Sequence, residues 1–302
     1  MSGDPHAGLP DASEATDSGV VDELGAHVSV AGGVQTAPGR ARDIGSVNLQ
    51  LFTKQPNRWA EPELAPDRVA SFHEGRARDG IRVAGAHDSY LINLSSPKEE
   101  LWNRSLASFT AELARCAELD LGFLVTHPGN ATDGDHESGL ARNAEGVTRA
   151  LEAVAGETRV LLEITAGSGT SVGASFESLA TIISGIPASL RERVGVCFDT
   201  CHAYSAGYDL VRDYEGVWAE FEDVLGMDRL GLFHLNDSRH PFDSRKDRHE
   251  HIGKGSLGEE PFRRIMTDPR FAEVPKILET PKGDDMVTLD RENLALLRSF
   301  RG

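Results

Sequence analysis

Six residues of metal-binding type stand at equivalent points along the chain, each at the end of a short apolar run or directly after it. They are His87, His127, Glu163, Asp199, His234 and Glu279. Imidazole and carboxylate ligands without a necessary thiolate favour zinc or manganese. One histidine after a strand is usually an ordinary loop residue, but six ligand types in succession predict a common metal centre.

Three further residues extend this set. Asp199 and His202 are three positions apart, so both can face one cavity if a strand turns into a helix between them. Asp247 and His249 lie two apart in a polar loop, which is a weak signal alone. The resulting nine ligands exceed what one ion uses, so we expect two or three metals. Cys197 shares the strand parity of Asp199 and is interpreted as a buried structural thiol, one layer below the mouth of the site.

Bringing these residues together requires a fold that gathers the ends of many strands. Apolar runs typical of strands alternate with longer stretches of helical spacing, among them residues 97–119 and 139–154. This alternation predicts an α/β protein, a (β/α)8 TIM barrel with its active site at the C-terminal face of the strands. The eight predicted strands are residues 24–28, 47–52, 81–86, 122–126, 159–163, 194–199, 230–234 and 275–279.

The length of 302 residues fits one such domain. Residues 1–23 are rich in Gly, Pro, Ser, Ala and Asp and lack apolar periodicity, so we predict a disordered acidic N-terminal extension, followed by a TIM-barrel catalytic domain over 24–302. The sequence contains no uncharged stretch of membrane-spanning length and no basic secretory signal. Three cysteines are too few for a disulfide framework, and we expect a cytoplasmic monomer with no membrane partner.

The chain is strongly acidic, since 31 Lys and Arg against 48 Asp and Glu give a net charge of −17. Arg outnumbers Lys by 25 to 6, which fits either a hydrated surface adapted to salt or codon usage alone. In both cases the field of the whole protein repels DNA. A nucleic-acid role would therefore need a locally basic or metal-charged face.

In order along the chain, the segments around these residues resemble the motifs of endonuclease IV, the metal-dependent abasic-site endonuclease. The segments are GAHVS (25–29), LFTK (51–54), HDSYLINL (87–94), HPG (127–129), EITAG (163–167), VGVCFDTCHA (194–203), HLNDS (234–238), DRH (247–249) and LET (278–280). The resemblance runs from about residue 24 to 300. It implies double-stranded DNA with abasic sites as the partner.

The resemblance also implies three zinc ions, one of them replaceable by manganese. The first would bind His87, His127 and Glu163; the second would share Glu163 and add Asp199, His234 and Glu279; the third would bind His202, Asp247 and His249. Glu163 and Glu279 would be catalytic, and hydroxide generated on the metals would hydrolyse the phosphodiester 5′ to the abasic site in base excision repair. The expected ends are 3′-hydroxyl and 5′-deoxyribose phosphate, and 3′-blocking groups would also be removed.

Contacts with DNA are implied at two loops. The resemblance places Tyr90 and Leu91 in a loop that enters the minor groove at the lesion, where apolar wedges unstack bases; packing within the loop is the alternative. The family's inserting Arg usually stands two residues before Trp59, where this chain has Asn57, so either Arg58 substitutes or Asn57 fills the gap less effectively. Local positive charge would come from Lys54, Arg58, Arg239, Arg245, Lys246, Arg248 and Lys254.

A metal-dependent sugar isomerase or epimerase is the main alternative, because related barrels carry Glu/Asp/His/Glu sites at the same strand ends. An isomerase needs no third metal, so His202, Asp247 and His249 would have no use in it. A non-catalytic binder of damaged DNA would be expected to have lost some ligands, and this chain retains all nine.

Overall fold

The computed structural model describes residues 22–302, in which eight parallel strands close into a barrel. The barrel strands are β1 (Leu24–His27), β2 (Asn48–Phe52), β3 (Val83–His87), β4 (Phe123–Thr126), β5 (Arg159–Glu163), β6 (Val194–Asp199), β7 (Leu230–His234) and β10 (Lys276–Leu278). A separate antiparallel ribbon pairs β8 (Asp237–Ser238) with β9 (His249–Glu250). Because β1 pairs with both β2 and β10, the ring has no free edge. The predicted TIM barrel is confirmed.

Helices follow the strands and cover the outside of the barrel. They are α1 (Ala37–Asp43), α2 (Pro66–Arg78), α3 (Glu99–Glu118), α4 (His136–Ala153), α5 (Phe176–Gly185), α6 (Thr200–Ala206), α7 (Tyr214–Val224), α8 (Glu260–Thr267) and α9 (Thr288–Ser299). Helix α3 lies where residues 97–119 were predicted to be helical. Helix α4 begins before the predicted start because Asp135 caps it, accepting a hydrogen bond from the backbone amide of Ser138 at 3.1 Å.

The barrel interior is a compact layer of buried apolar side chains contributed by successive strands. Its members are Phe123, Val125, Leu161, Cys197, Leu232 and Ile277. Gly85 leaves the space that the Phe123 ring occupies, since a Cβ at this position would lie 2.2 Å from that ring. Side chains two residues apart on a strand point to the same face of the sheet. The next inward-facing residue on each strand, toward its C-terminal end, therefore lies at the mouth of the barrel. Cys197 lies in this interior layer, as its parity predicted.

The predicted N-terminal extension falls on residues outside the described part of the chain, apart from its last two. Asp22 pairs with Arg298 at 2.8 Å, and Glu23, which is buried, pairs with Arg82 at 2.7 Å. These contacts attach the start of β1 to the end of the barrel opposite the strand C-termini. None of the described helices combines the length and apolar character that crossing a membrane requires.

Candidate metal centre

Glu163, the last residue of β5, is the hub of the barrel mouth. One carboxylate oxygen, Oε2, lies 3.0 Å from His87 Nε2 and 3.1 Å from His127 Nε2. The other, Oε1, lies 3.0 Å from His234 Nδ1 and 3.1 Å from His202 Nδ1. Burial opposes its charge, but the imidazoles of His234 and His127 hold the pKa of Glu163 well below its usual value. The carboxylate is therefore ionised and can serve two neighbouring ions.

The predicted ligands form three groups, in each of which the ligand atoms lie within 4.8 Å of one another. The groups are His87 with His127 and Glu163; Glu163 with Asp199, His234 and Glu279; and His202 with Asp247 and His249. The side chains of His127 and Asp247 are 41% and 48% exposed, whereas Glu163 is fully buried. The centre is therefore open to a substrate on the side of these two residues.

Backbone carbonyl groups determine which ring nitrogen of three histidines is available to bind a cation. The Nδ1 atoms of His87, His202 and His249 lie 2.9, 3.0 and 3.2 Å from the carbonyl oxygens of Asp88, Ile164 and Glu279. A carbonyl oxygen only accepts a hydrogen bond, so each Nδ1 must carry the proton. In the neutral ring the lone pair is then on Nε2, the atom that faces the other ligands of the same group.

Charge within the centre is divided between ionised acids and imidazoles that hold protons. Burial opposes protonation of His87 and His202, but contacts with Asp88 and Glu163 for the first, and with Asp199 and Asp247 for the second, raise the pKa of both rings well above the usual value. Burial would raise the pKa of Asp247, yet His202 lowers it. Ligation requires neutral imidazole, so binding of cations here must release protons.

The turn from β6 into α6 brings Asp199 and His202 together. Asp199 caps the helix by accepting a hydrogen bond from the His202 backbone amide at 2.7 Å, which leaves both side chains at the mouth. Asp247 and His249 were expected in a polar loop. Asp247 does lie in a loop, whereas His249 begins β9, whose pairing with Asp237–Ser238 carries both residues over the site.

A cavity of about 360 Å³ opens above these groups. Besides six of the predicted ligands, it is lined by His27, Phe52, Tyr90 and the segment Thr280–Lys282. A space of this size, with imidazoles and carboxylates on its floor, can receive a small polar group of a larger molecule.

Comparisons with known proteins agree with this arrangement. A family model described as a xylose isomerase-like TIM barrel matches residues 39–300. A protein of Chloroflexus aurantiacus named probable endonuclease 4 is 48% identical over 281 residues, covering 92% of this chain and 97% of the relative. One of Geobacter sulfurreducens with the same name is 49% identical over 280 residues, covering 92% and 94%. The crystal structure of endonuclease IV from Thermus thermophilus matches with a TM-score of 0.82 and 36% identity, covering 93% of this chain and 99% of that one.

The chain belongs to the endonuclease IV family. This confirms the predicted family and endonuclease function. A D-tagatose 3-epimerase-like protein also matches, with a TM-score of 0.66, but at 16% identity this similarity shows only a shared barrel.

Two cysteines lie beside the imidazole and carboxylate groups of the centre. Cys197 and Cys201 are buried, and their sulphur atoms lie near the second and third ligand groups. Burial raises the pKa of Cys197 well above its usual value and that of Cys201 to about 12. Without a bound cation both are therefore neutral thiols.

The residues predicted to contact DNA lie on two adjoining loops at the mouth. Asn57 and Arg58 are exposed, Tyr90 is 65% exposed and Leu91 is half-buried. Ser89 Oγ donates a hydrogen bond to the carbonyl oxygen of Pro56 at 2.7 Å, which joins the two loops. Both candidates for the lesion contact, Asn57 and Arg58, are thus accessible beside Tyr90.

Lys54 does not belong to the predicted basic surface. Its side chain is 1% exposed, and Nζ bonds to Glu61 at 2.6 Å and to Ser108 at 2.8 Å. The LFTK segment ends a strand and turns inward, so this lysine pairs with Glu61 beneath the loop instead of facing solvent. Among the other predicted basic residues, Arg239 and Arg245 pair with Glu250 and Asp243, whereas Lys246, Arg248 and Lys254 are exposed.

Two buried polar residues of the centre, Gln50 and Asn236, were missed by sequence reasoning. Gln50 on β2 contacts His27, His234 and Glu279. Asn236 donates to Asp199 Oδ2 at 2.7 Å and accepts from the Glu279 amide at 2.9 Å. The alternation of Asn48 and Gln50 with Leu49 and Leu51 was an available signal, because polar side chains of one parity in a barrel strand face inward.

Proposed function

We propose that this chain is a metal-dependent abasic-site endonuclease that hydrolyses the phosphodiester 5′ to an abasic site in double-stranded DNA. The products would be 3′-hydroxyl and 5′-deoxyribose phosphate ends, and the same site would remove 3′-blocking groups. The observation that carries this proposal is the third ligand group, His202 with Asp247 and His249, beside the two that share Glu163. A sugar isomerase would have no use for this group.

The donor set fits three divalent ions. Its members are imidazole nitrogens and carboxylate oxygens, and paired carbonyls already orient three of the rings for ligation. We infer three Zn²⁺, with Mn²⁺ as an alternative at one position, held by the three groups described above. Such ions would stabilise negative charge on the phosphate and lower the pKa of water to near neutrality.

The protein groups have distinct tasks in this proposal. Glu163 and Glu279 hold the centre together as ionised carboxylates, and burial of Glu163 keeps bulk water from its oxygens. Tyr90 and Leu91 enter the duplex at the lesion, and Arg58 or Asn57 occupies the adjoining space. An abasic nucleotide lacks stacking and pairing, so its displacement into the cavity costs less than that of an intact one.

The negative charge of the whole chain shapes how DNA is bound. With a net charge of −17, attraction must come from the exposed bases Arg58, Lys246, Arg248 and Lys254 together with the bound cations. We infer that affinity depends on phosphate contacts at the site itself, and that the protein acts as a monomer in the cytoplasm. Its three cysteines are free and buried, as a reducing compartment permits.

The decisive experiment is incision of a duplex with one abasic analogue, before and after prolonged chelation. We expect cleavage 5′ to the lesion, its loss on chelation, recovery on adding Zn²⁺, and no cleavage of the intact duplex. End analysis distinguishes 3′-hydroxyl products from other ends. Metal-dependent turnover of ketoses without incision of the abasic duplex would instead support the isomerase alternative.

A further inference from the structure

Strand β2 supplies none of the nine predicted ligands. It contributes Gln50, whose side chain contacts ligands of the metal centre. The Gln50 side chain is fully buried at the barrel mouth. The amide nitrogen Nε2 lies 2.6 Å from Glu279 Oε1 and 3.0 Å from His27 Nδ1. The amide oxygen Oε1 lies 2.9 Å from His234 Nε2. Both ends of one amide are therefore engaged.

Chemistry allows only one orientation of this amide. An oxygen placed 2.6 Å from the Glu279 carboxylate would face another negative oxygen, whereas an N–H group donates to it. The NH₂ group has two hydrogens, and its second partner, His27 Nδ1, must accept. His27 is held in turn by its ring contact with Phe52, at 4.4 Å between centroids.

The orientation of the Gln50 amide determines which ring nitrogen of His234 must carry a proton. The amide oxygen can only accept, so His234 Nε2 must carry a proton, and in the neutral ring that can bind a cation the lone pair is on Nδ1. Nδ1 is the atom that lies 3.0 Å from Glu163 Oε1 and 3.2 Å from Glu279 Oε2. His234 therefore presents Nδ1, whereas His87, His202 and His249 present Nε2.

The Gln50 amide also gives the two carboxylate oxygens of Glu279 different partners. Oε1 accepts from Gln50, which leaves Oε2 directed at His234 Nδ1. We propose that Gln50 is a positioning residue of the metal centre, which selects the nitrogen of His234 and the oxygen of Glu279 that face the second ion. This inference rests on the proposed metal-dependent function.

The test compares two buried amides on the same strand. Gln50→Leu removes the contacts with His234 and Glu279. Asn48→Leu removes an amide that contacts Glu23 at 3.2 Å and the Val83 backbone at 3.1 Å, away from the ligands. Both variants should lower the free energy of unfolding. Only Gln50→Leu should release one Zn²⁺ per chain at a chelator concentration about 10- to 100-fold lower than wild type, measured as metal content after dialysis.

A second variant guards against failure of Gln50→Leu to fold. Gln50→Glu keeps the shape and the acceptor for His234 but removes the donor to Glu279, and it should also release one ion earlier than wild type. Release that is unchanged in both Gln50 variants, or equally early in Asn48→Leu, would overturn the role of Gln50. If wild-type protein itself holds no Zn²⁺, it is instead the proposed function that fails.

Discussion

The Nζ atom of Lys54 donates a hydrogen bond to the backbone carbonyl oxygen of Arg58 at 3.1 Å. Lys54 is buried and also bonded to Glu61 and Ser108. It therefore anchors the loop that carries Asn57 and Arg58 to the body of the protein. The side chains of Asn57 and Arg58 remain exposed above it. The loop is thus a fixed platform with two candidate residues at its tip.

Arg58→Ala should weaken binding of an abasic duplex and reduce the slope of log K against log salt by about 1, because a lost phosphate contact releases one fewer counterion. Asn57→Ala should leave the salt slope unchanged. Fluorescence anisotropy at several salt concentrations measures both, with Arg78→Ala, an exposed arginine at the far end of α2, as the control. If Arg58→Ala has the same slope of log K against log salt as wild type, Arg58 does not contact the DNA backbone.

Tyr90→Ala should weaken binding of the abasic duplex by about 1–3 kcal/mol, the usual contribution of one stacking contact between an aromatic ring and a base. Tyr90→Phe keeps the ring, which packs edge-on against Phe52 at 5.3 Å, and should bind nearly as wild type. A fluorescent base analogue beside the lesion reports unstacking directly. If Tyr90→Ala unstacks this base as well as wild type does, the ring only packs within its loop.

Glu112 predicts a pH dependence of stability. Burial raises the pKa of Glu112 to about 8, and neither oxygen has a hydrogen-bond partner among the described residues, although Lys54 Nζ lies 3.4 Å from Oε1. Between the usual carboxyl pKa and about 8, the folded state binds more protons than the unfolded state, so stability falls as pH rises. Glu112→Gln should remove up to about 1.4 kcal/mol per pH unit of this slope, seen by urea denaturation. Glu118→Gln, exposed on the same helix, should leave the slope unchanged.

Glu163→Gln should reduce incision by more than about 100-fold, since losing even a residue that only supports a ligand costs 10- to 100-fold. The amide has the same shape, so circular dichroism should report an intact fold. Measured metal content should fall as well, because Glu163 belongs to two ligand groups. Near-normal incision by this variant would refute its assigned role.

The barrel could be predicted from the sequence, and nine ligand candidates could be named, because both depend on local patterns. Each apolar run and its terminal residue can be recognised without knowing the neighbouring strand. His87 and Glu279 need only follow their strands, since a parallel barrel gathers all strand ends at one face.

The supporting residues depend on contacts that no local pattern specifies. Gln50 and Glu279 are far apart in the chain, and which polar residue bonds which ligand follows from strand order and barrel closure. The burial of Lys54 was unforeseen for the same reason, because its partners Glu61 and Ser108 come from a later loop and from α3. Charge alone suggested a surface position.

The closure of the barrel between β1 and β10 has a consequence during synthesis of the protein. Glu279 directly follows β10, the last of the described strands in chain order, and β10 pairs with β1, the first of them. A nascent or truncated chain that ends before this strand lacks a member of the second ligand group. Under the proposed function, nicking of DNA would then be withheld from incomplete copies of the enzyme.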